Sequence, residues 1–385
     1  MLYYRTKEKQ RVDIVEVADP NAIAAMRDEW NDLLDRSATP TIYQTWEWND
    51  AWWRSFGSGK RLRLLQVRDN GALVGIAPFY VSRHLKLPLR RLALLGTGPS
   101  DYLDIIVQDE NRHQIILTVI KYLSSFRGFD LADLQQQRPA SHLLGHLDFM
   151  EDAANSPGRS VVIEQEPCPY VTLPAHWDEY ADSLGKKMRS NLRYHERLLT
   201  RSFSNVEITP TNEGRLSADM DAAFTLHQQR WNARLLPGVL LTRRIRDFHM
   251  DVARKFLKRG WLRLHTVRLD GRAVASLYCF LFRRRYYYYL GGFAPNLARF
   301  SLGTILTARA IKDAIEEKCT EFDFLRGAEP YKYRWQPQEW VNSRLLLFQS
   351  NSLRSRLLVG LNRLERAVEH RAKAFAASRG RRKAK

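Results

Sequence analysis

A chain that writes the same strand–turn–strand twice, two hundred positions apart, is constrained to build that piece of structure twice. Residues 62–75 read LRLLQVRDNGALVG and residues 262–275 read LRLHTVRLDGRAVA. Leu62, Leu64, Val67, Arg68, Gly71 and Val74 return as Leu262, Leu264, Val267, Arg268, Gly271 and Val274. In both copies alternating apolar residues run into Asn70-Gly71 or Asp270-Gly271, pairs that tolerate the positive φ of a tight hairpin turn. Helical patterns rich in Trp and Arg precede each hairpin, over 21–36 and 43–56 in the first half and over 219–234 and 243–259 in the second. A helix and a strand follow each, at 114–126 and 129–135, then at 302–317 and 322–327. The matched order predicts two copies of one α/β domain, at 11–165 and 166–352, with the cleft between them as the place for function. The alternative is two unrelated mixed α/β domains that share a common hairpin.

With 385 residues, 44% hydrophobic and 11% aromatic, the chain can bury two cores and is globular. Cys168, Cys279 and Cys319 lie far apart and form no CxxC pair, so neither a zinc site nor a disulfide framework is expected. The start, MLYYRTKEKQRVD, lacks the apolar core of a signal peptide, and no run of apolar residues is long enough to span a bilayer. A cytoplasmic protein is the expectation. The net charge of +19 is uneven: residues 353–385 carry eleven Lys and Arg against Glu365 and Glu369. Leu353, Leu357, Leu361, Leu364, Val368, Ala372 and Phe375 share one helical face there. This basic amphipathic helix either packs on its own domain or attaches peripherally to the anionic inner face of the cytoplasmic membrane or to an acidic partner. No nucleic-acid motif accompanies the charge, so a nucleic-acid partner is not expected.

Three local constellations carry chemistry. The helix at 184–201 stacks Lys186, Arg189, Arg193, Arg197 and Arg201 on one face, opposite Leu184, Met188, Leu192, His195 and Leu199. Such a stripe is either a solvated face or a platform for an anionic substrate, and His195 reads as a half-buried structural histidine. The strand at 285–290 feeds Gly291-Gly292, a loop, and a helix that Ser301 would cap. A helix start offers free amides and a favourable dipole to phosphate, with Arg299, Gly303 and Thr304 as its cradle. FDFLRGAEPYKYRW, at 322–335, crowds Asp323, Arg326, Glu329, Tyr331 and Lys332 around a turn after a strand; the alternative there is a surface ion-pair cluster. Asp101 and Asp104, in SDYLD, either bind substrate or cap turns. Trp46, Trp53 and Phe56 read as core packing, with sugar stacking as the minority alternative.

The run RFSLGTILTARAIKDAI followed by FDFLRGAEPYKYRW resembles the GNAT acyltransferase superfamily. More narrowly the chain resembles the CelD/BcsL-type acetyltransferase-like proteins of cellulose and exopolysaccharide loci, over about residues 15–345. WEWNDAWWRSFG, LLGTGPSDYLDIIV and SLGKKMRSNLRYHERLL carry the same likeness. That family is similar to the FemABX aminoacyl ligases, which also hold two GNAT-like domains with the active site chiefly at their interface. The resemblance implies an α/β fold of two tandem GNAT-like domains, each a mixed, largely antiparallel sheet flanked by helices, plus the basic C-terminal helix.

The resemblance also implies direct acyl transfer from acetyl-CoA or another acyl-CoA, without a metal, to an amine or hydroxyl of a small-molecule or glycan-precursor acceptor. An acyl carrier protein is the alternative donor. The pantetheine arm would lie along 286–290, with Tyr289, Gly291 and Gly292, and the pyrophosphate near Arg299, Ser301, Gly303 and Thr304. The family pattern there is Arg/Gln-x-x-Gly-x-Gly/Ala, from which Arg-Phe-Ser-Leu-Gly-Thr departs by one extra residue and no second glycine. Asp323 and Glu329 are the expected bases, and Lys332 the oxyanion or phosphate partner. Asp101, Asp104, Arg189, Arg193, Arg326 and Tyr331 are the expected acceptor contacts. An aminoacyl-tRNA-dependent ligase and a non-catalytic scaffold of a polysaccharide synthase are the competing functions.

Overall fold

The computed structural model describes residues 12–83, 89–148, 158–232, 242–349, 352–354, 357 and 360. The expected C-terminal basic helix lies almost wholly outside them. The chain forms two compact units, the first comprising residues 1–53, 57–165 and 342–364, the second 54–56, 166–341 and 365–385.

The first unit contains β1 (Val12–Val17), α1 (Asn21–Ala25), α2 (Arg27–Asp35), α3 (Trp46–Phe56, to Trp53), β2 (Arg61–Asp69), β3 (Ala72–Arg83), β4 (Arg90–Leu94), β5 (Ile106–Val107), α4 (Arg112–Ser125) and β6 (Leu131–Gln137). Its strands follow the order β1-β2-β3-β4-β6, with β5 on β3. Among the described residues only β4 and β6 run parallel. The helix expected at 43–56 starts late because Thr45 stops it: the Thr45 side chain accepts from the Trp48 amide, and a short 3₁₀ turn precedes it. Along β3 the pleat alternates. Ala77, Phe79 and Val81 join the core under α4, while Tyr80 stacks against Trp52 of α3 at 5.0 Å.

The second unit contains the later part of β7 (Gly158–Thr172), α5 (Trp177–Ser183), α6 (Lys186–Ser202), β8 (Val206–Pro210), α7 (Leu216–Asn232), α8 (Arg243–Lys258), β9 (Leu262–Leu269), β10 (Arg272–Phe282), β11 (Arg285–Phe293), α9 (Leu302–Glu316), β12 (Glu321–Asp323) and α10 (Pro330–Tyr333). The strand order is β7-β12-β11-β10-β9-β8, with β11 and β12 as the only parallel pair among the described residues. The pleat alternates here as well: Ala275, Leu277 and Cys279 face the core with α9, while Phe280 meets Phe256 of α8 at 5.1 Å. One expected boundary is corrected. Strand β13 (Gln338–Gln349) pairs through Ser343–Phe348 with β6, and Arg344 makes a bidentate bond to buried Asp133 at 2.7 and 2.8 Å. Residues 342–349 therefore belong with the first unit.

The duplication reaches the irregularities. Asn70-Gly71 and Asp270-Gly271 both have positive φ, as the hairpin turn requires. Each hairpin then carries a β-bulge at the same place, where Val74 and Val274 are the extra residues. The bulged carbonyls are used alike: Val74 O accepts from the Gln108 amide and Val274 O from the Ala294 amide. Finally α4 and α9 both start from a left-handed residue, Asn111 at φ 57° and Ser301 at φ 51°.

Candidate active site

The parallel pair at the centre of the second unit opens partway along. β12 pairs with β11 only from Arg285↔Glu321 to Tyr287↔Asp323. Past Asp323 the chain turns into a left-handed conformation at Leu325, φ 59°, and its Phe324 amide bonds to Pro169 O of β7. This is why the strand expected over 322–327 stops after three residues. β11 runs on beside β10 to Phe293, so among the described residues its edge from Tyr288 to Phe293 has no strand partner on the β12 side.

The start of α9 follows this opening. Thr304 and Ile305 donate to Ser301 O, and among the described residues no acceptor takes the Leu302 and Gly303 amides. Ser301 does not cap the helix with its side chain, as expected of it; its Oγ instead meets His195 Nε2 of α6 at 3.1 Å. A Cβ built on Gly303 would meet only the Phe293 ring, at 3.8 and 4.0 Å, so the space before the helix is not filled by packing. The first turn carries no acid. Arg299 is exposed, rests its guanidinium 4.7 Å over the Phe300 ring, and has no carboxylate partner among the described residues. Free amides, a helix dipole, an unpaired arginine and open space fit a diphosphate. Arg299, Ser301, Gly303 and Thr304 are thus together. On α6, Arg193 is exposed and Arg189 is held by Asp182 at 2.5 Å.

Other expected site residues have different work. A Cβ on Gly292 would lie 2.4 Å from the His227 amide nitrogen, so this glycine serves close helix–strand packing. Tyr289 turns toward α8, with its hydroxyl 3.4 Å from His249 Nε2 and its ring against Phe280 at 5.2 Å. The expectation that Lys332 faces the reacting group is corrected. Its ammonium is buried and donates to the carbonyls of Leu325, Arg326 and Gly327 at 3.1, 2.7 and 3.1 Å, with Glu329 Oε2 at 2.9 Å. All three protons are used to close the 325–329 turn. Asp323 is wholly buried and accepts from the Leu325 amide at 2.8 Å, in the same turn; Glu329 is part-exposed. Tyr331 lies under the turn with Tyr288, their rings 6.0 Å apart, and burial raises both phenols above their ordinary pKa.

In the first unit Asp101 accepts from Tyr43 Oη at 3.3 Å, and its carbonyl accepts from Asn342 at 2.8 Å. Asp104 accepts the Ile105 and His142 amides at 2.8 and 2.7 Å, and burial raises its pKa. Asp104 thus ties down main-chain amides, as a capping residue does, while the Asp101 carboxylate meets a tyrosine hydroxyl. Trp46 is buried, with Nε1 bonded to Ile23 O at 2.6 Å, which leaves it no face for a sugar.

One group at the opening carries no motif in the sequence. Arg230, near the end of α7, donates to Gly291 O at 3.0 Å. Its guanidinium lies 5.3 Å from the Phe293 ring and 5.4 Å from the Tyr331 ring. His227, one turn earlier, is buried with the Gly291 carbonyl close by, yet neither ring nitrogen has a hydrogen bond of normal geometry. Burial lowers its pKa to about 4; the Gly291 carbonyl opposes that shift and the Arg230 charge adds to it. Hidden in a helical pattern, these residues looked like core and surface positions.

A mixed sheet whose parallel pair parts beside an uncapped helix start, built twice in one chain, defines a tandem GNAT-like fold. Residues 186–333 match the family model described as an acetyltransferase (GNAT) domain. Among solved structures, FemX aligns with a TM-score of 0.63 at 11% identity, covering 88% of this chain and 98% of that one. A Bacteroides thetaiotaomicron protein of unknown function aligns at 0.55 and 10% identity, covering 88% and 100%. The C-terminal domain of a putative lysylphosphatidylglycerol synthetase from Agrobacterium fabrum aligns at 0.52 and 12% identity, covering 87% and 95%. A comparison with curated proteins gives no match. Among the described residues no cluster is placed to hold a metal ion, and no helix is long and apolar enough to cross a membrane.

Proposed function

We propose that the second unit transfers an acyl group directly from acyl-CoA to an amine or hydroxyl acceptor. One observation carries this reading: the β11 edge left open by β12 leads straight to the bare start of α9. The diphosphate sits on the Leu302 and Gly303 amides with Arg299 beside it, and the acyl arm lies along Tyr288–Phe293. A main-chain amide of that edge polarises the thioester carbonyl. The acceptor nitrogen or oxygen attacks that carbon, the C–S bond breaks, and the thiolate leaves with the acceptor's proton. Alignment of the two reactants supplies much of the rate. An alkyl amine with a pKa near 10.4 is about 0.04% neutral at pH 7, a handicap of roughly 4.6 kcal/mol. Part-exposed Glu329 is the base that offsets some of it through water, while Asp323 builds the turn. Glycan or envelope precursors are the acceptors that the CelD/BcsL-type resemblance favours.

Thermal shift with acetyl-CoA, longer acyl-CoAs and free CoA tests the donor. A ligand at 100 times its Kd adds about 2.7 kcal/mol to stability. No response to any of them sinks the reading and turns attention to an aminoacyl-tRNA donor, which the FemABX resemblance supports. With a donor in hand, Glu329→Gln is expected to lower kcat about 10²–10⁴-fold.

A further inference from the structure

Several arginines of the second unit pair with carboxylates. Arg268 pairs with Asp219, Arg263 with Glu317, Arg285 with Glu321 and Arg309 with Asp313. Arg230 has no carboxylate among the described residues. One of its protons goes to Gly291 O, and its buried Nε has no acceptor. The Phe293 and Tyr331 rings hold the guanidinium, which leaves its edge to carry polar contacts.

The same stretch of helix leaves further buried polar atoms without partners: Gln228 Oε1, Trp231 Nε1 and both nitrogens of His227. His227 is only 3% exposed. Buried polar groups are normally bonded, and four such residues within five positions mark a place where a polar group is missing. With His227 neutral and Arg230 Nε included, three of these five atoms donate and two accept, and the fixed charge of the set is positive. Phe293 links this place to the donor groove, since the same ring faces the empty space at Gly303.

We propose that the last turns of α7 form a subsite for an oxyanion, a carboxylate or phosphate carried by the acceptor, with Arg230 as its anchor. The proposal rests on the acyltransfer reading for the word acceptor, but the anion site stands or falls separately. The planar guanidinium offers parallel N–H bonds to two oxygens, and Trp231 Nε1 supplies a further donor. The bound group would sit beside the β11 edge, which sets the nucleophile at a fixed reach from the thioester.

The test compares amines that differ only in an anionic group, glucosamine 6-phosphate against glucosamine and glycine against glycinamide. Binding is read by calorimetry on the full chain without any donor. The anionic member of at least one pair is expected to bind tenfold or more tightly. Arg230→Gln should abolish that margin, and Arg299→Gln should keep it. A margin lost in Arg299→Gln but kept in Arg230→Gln would place the anion at the start of α9 and overturn the proposal. So would the absence of any preference in the unmodified protein. If Arg230→Gln does not fold, Arg230→Lys keeps the charge without the fork and should bind several-fold more weakly; equal binding refutes the anchor. Because CoA is not needed, failure of the donor reading and failure of this one are separate results.

Discussion

The two units share a hairpin, a bulge, a left-handed helix start and a parallel strand pair, and differ where the pair parts. Register equates Leu94 with Tyr288 and Val107 with Phe293, because Phe79↔Leu94 matches Cys279↔Tyr288 and Gly75↔Val107 matches Ala275↔Phe293. Four residues join the second pair of points, and twelve join the first. The longer segment fills the first unit's own opening. The Leu103 amide bonds to Gln136 O of β6, Gln137 Nε2 bonds to Leu103 O, and the loop is tied down by Trp48 to Ser100 and Trp52 to Thr97. Charge differs too: Asp109-Glu110 precede the start of α4, where Arg299-Phe300 precede that of α9. A duplicated groove is closed in one copy by eight extra residues and carries the opposite charge at its helix start.

The comparison can be broken at several points. The largest effect is expected at Lys332, which has no counterpart role in the first unit. Lys332→Ala should cost about 3–5 kcal/mol in urea unfolding, since it strands a carboxylate and three carbonyls. An oxyanion-binding lysine would instead lose activity at unchanged stability.

Acid should separate the units next. In the second, burial lowers His227 to about 4, His249 to about 3 and His265 to about 4. A histidine depressed in the folded state binds its proton only on unfolding, so the unit loses stability as pH falls from 6.5 toward 4. His227 alone accounts for on the order of 3 kcal/mol once that window is crossed. Asp104 in the first unit is raised, and its burial favours the folded state more as it protonates. Hydrogen exchange between pH 7 and 4.5 should accelerate in the second unit first; equal acceleration in both would contradict these shifts.

Gly292→Ala should then destabilise by about 1–3 kcal/mol, because its Cβ meets helix backbone. The matching first-unit position already carries a side chain, Ile106. The smallest effect is at Gly303: Gly303→Ala should gain about 0.5–1 kcal/mol in thermal unfolding, having room for the methyl. Gly303→Glu should keep the fold and weaken CoA binding tenfold or more in calorimetry, by placing a carboxylate where the proposed reading puts the diphosphate.

Much of the fold was legible because hairpin chemistry and apolar period are local properties. Asn70-Gly71 and Asp270-Gly271 announced themselves, as did the helix at 302–316. The closed opening was not legible: GTGPSDYLD reads as a polar loop, and only register shows that it takes the place of a strand edge. At the site, Arg299, Ser301, Gly303 and Thr304 are neighbours in sequence, so their proximity on the page carried over. Lys332 was misread because its acceptors are main-chain carbonyls, which composition does not display. Arg230 and His227 were missed because a helix brings them to β11 from sixty positions away.

The Lys332 staple has a chemical consequence. An enzyme that holds a thioester beside its own lysines risks acylating itself, since a free amine attacks the same carbon as the acceptor. Lys332 is held away from such attack while folded, because its side-chain nitrogen is committed to the carbonyls of Leu325, Arg326 and Gly327. Were a thioester bound in the proposed groove, the turn would present it with a chemically silent lysine.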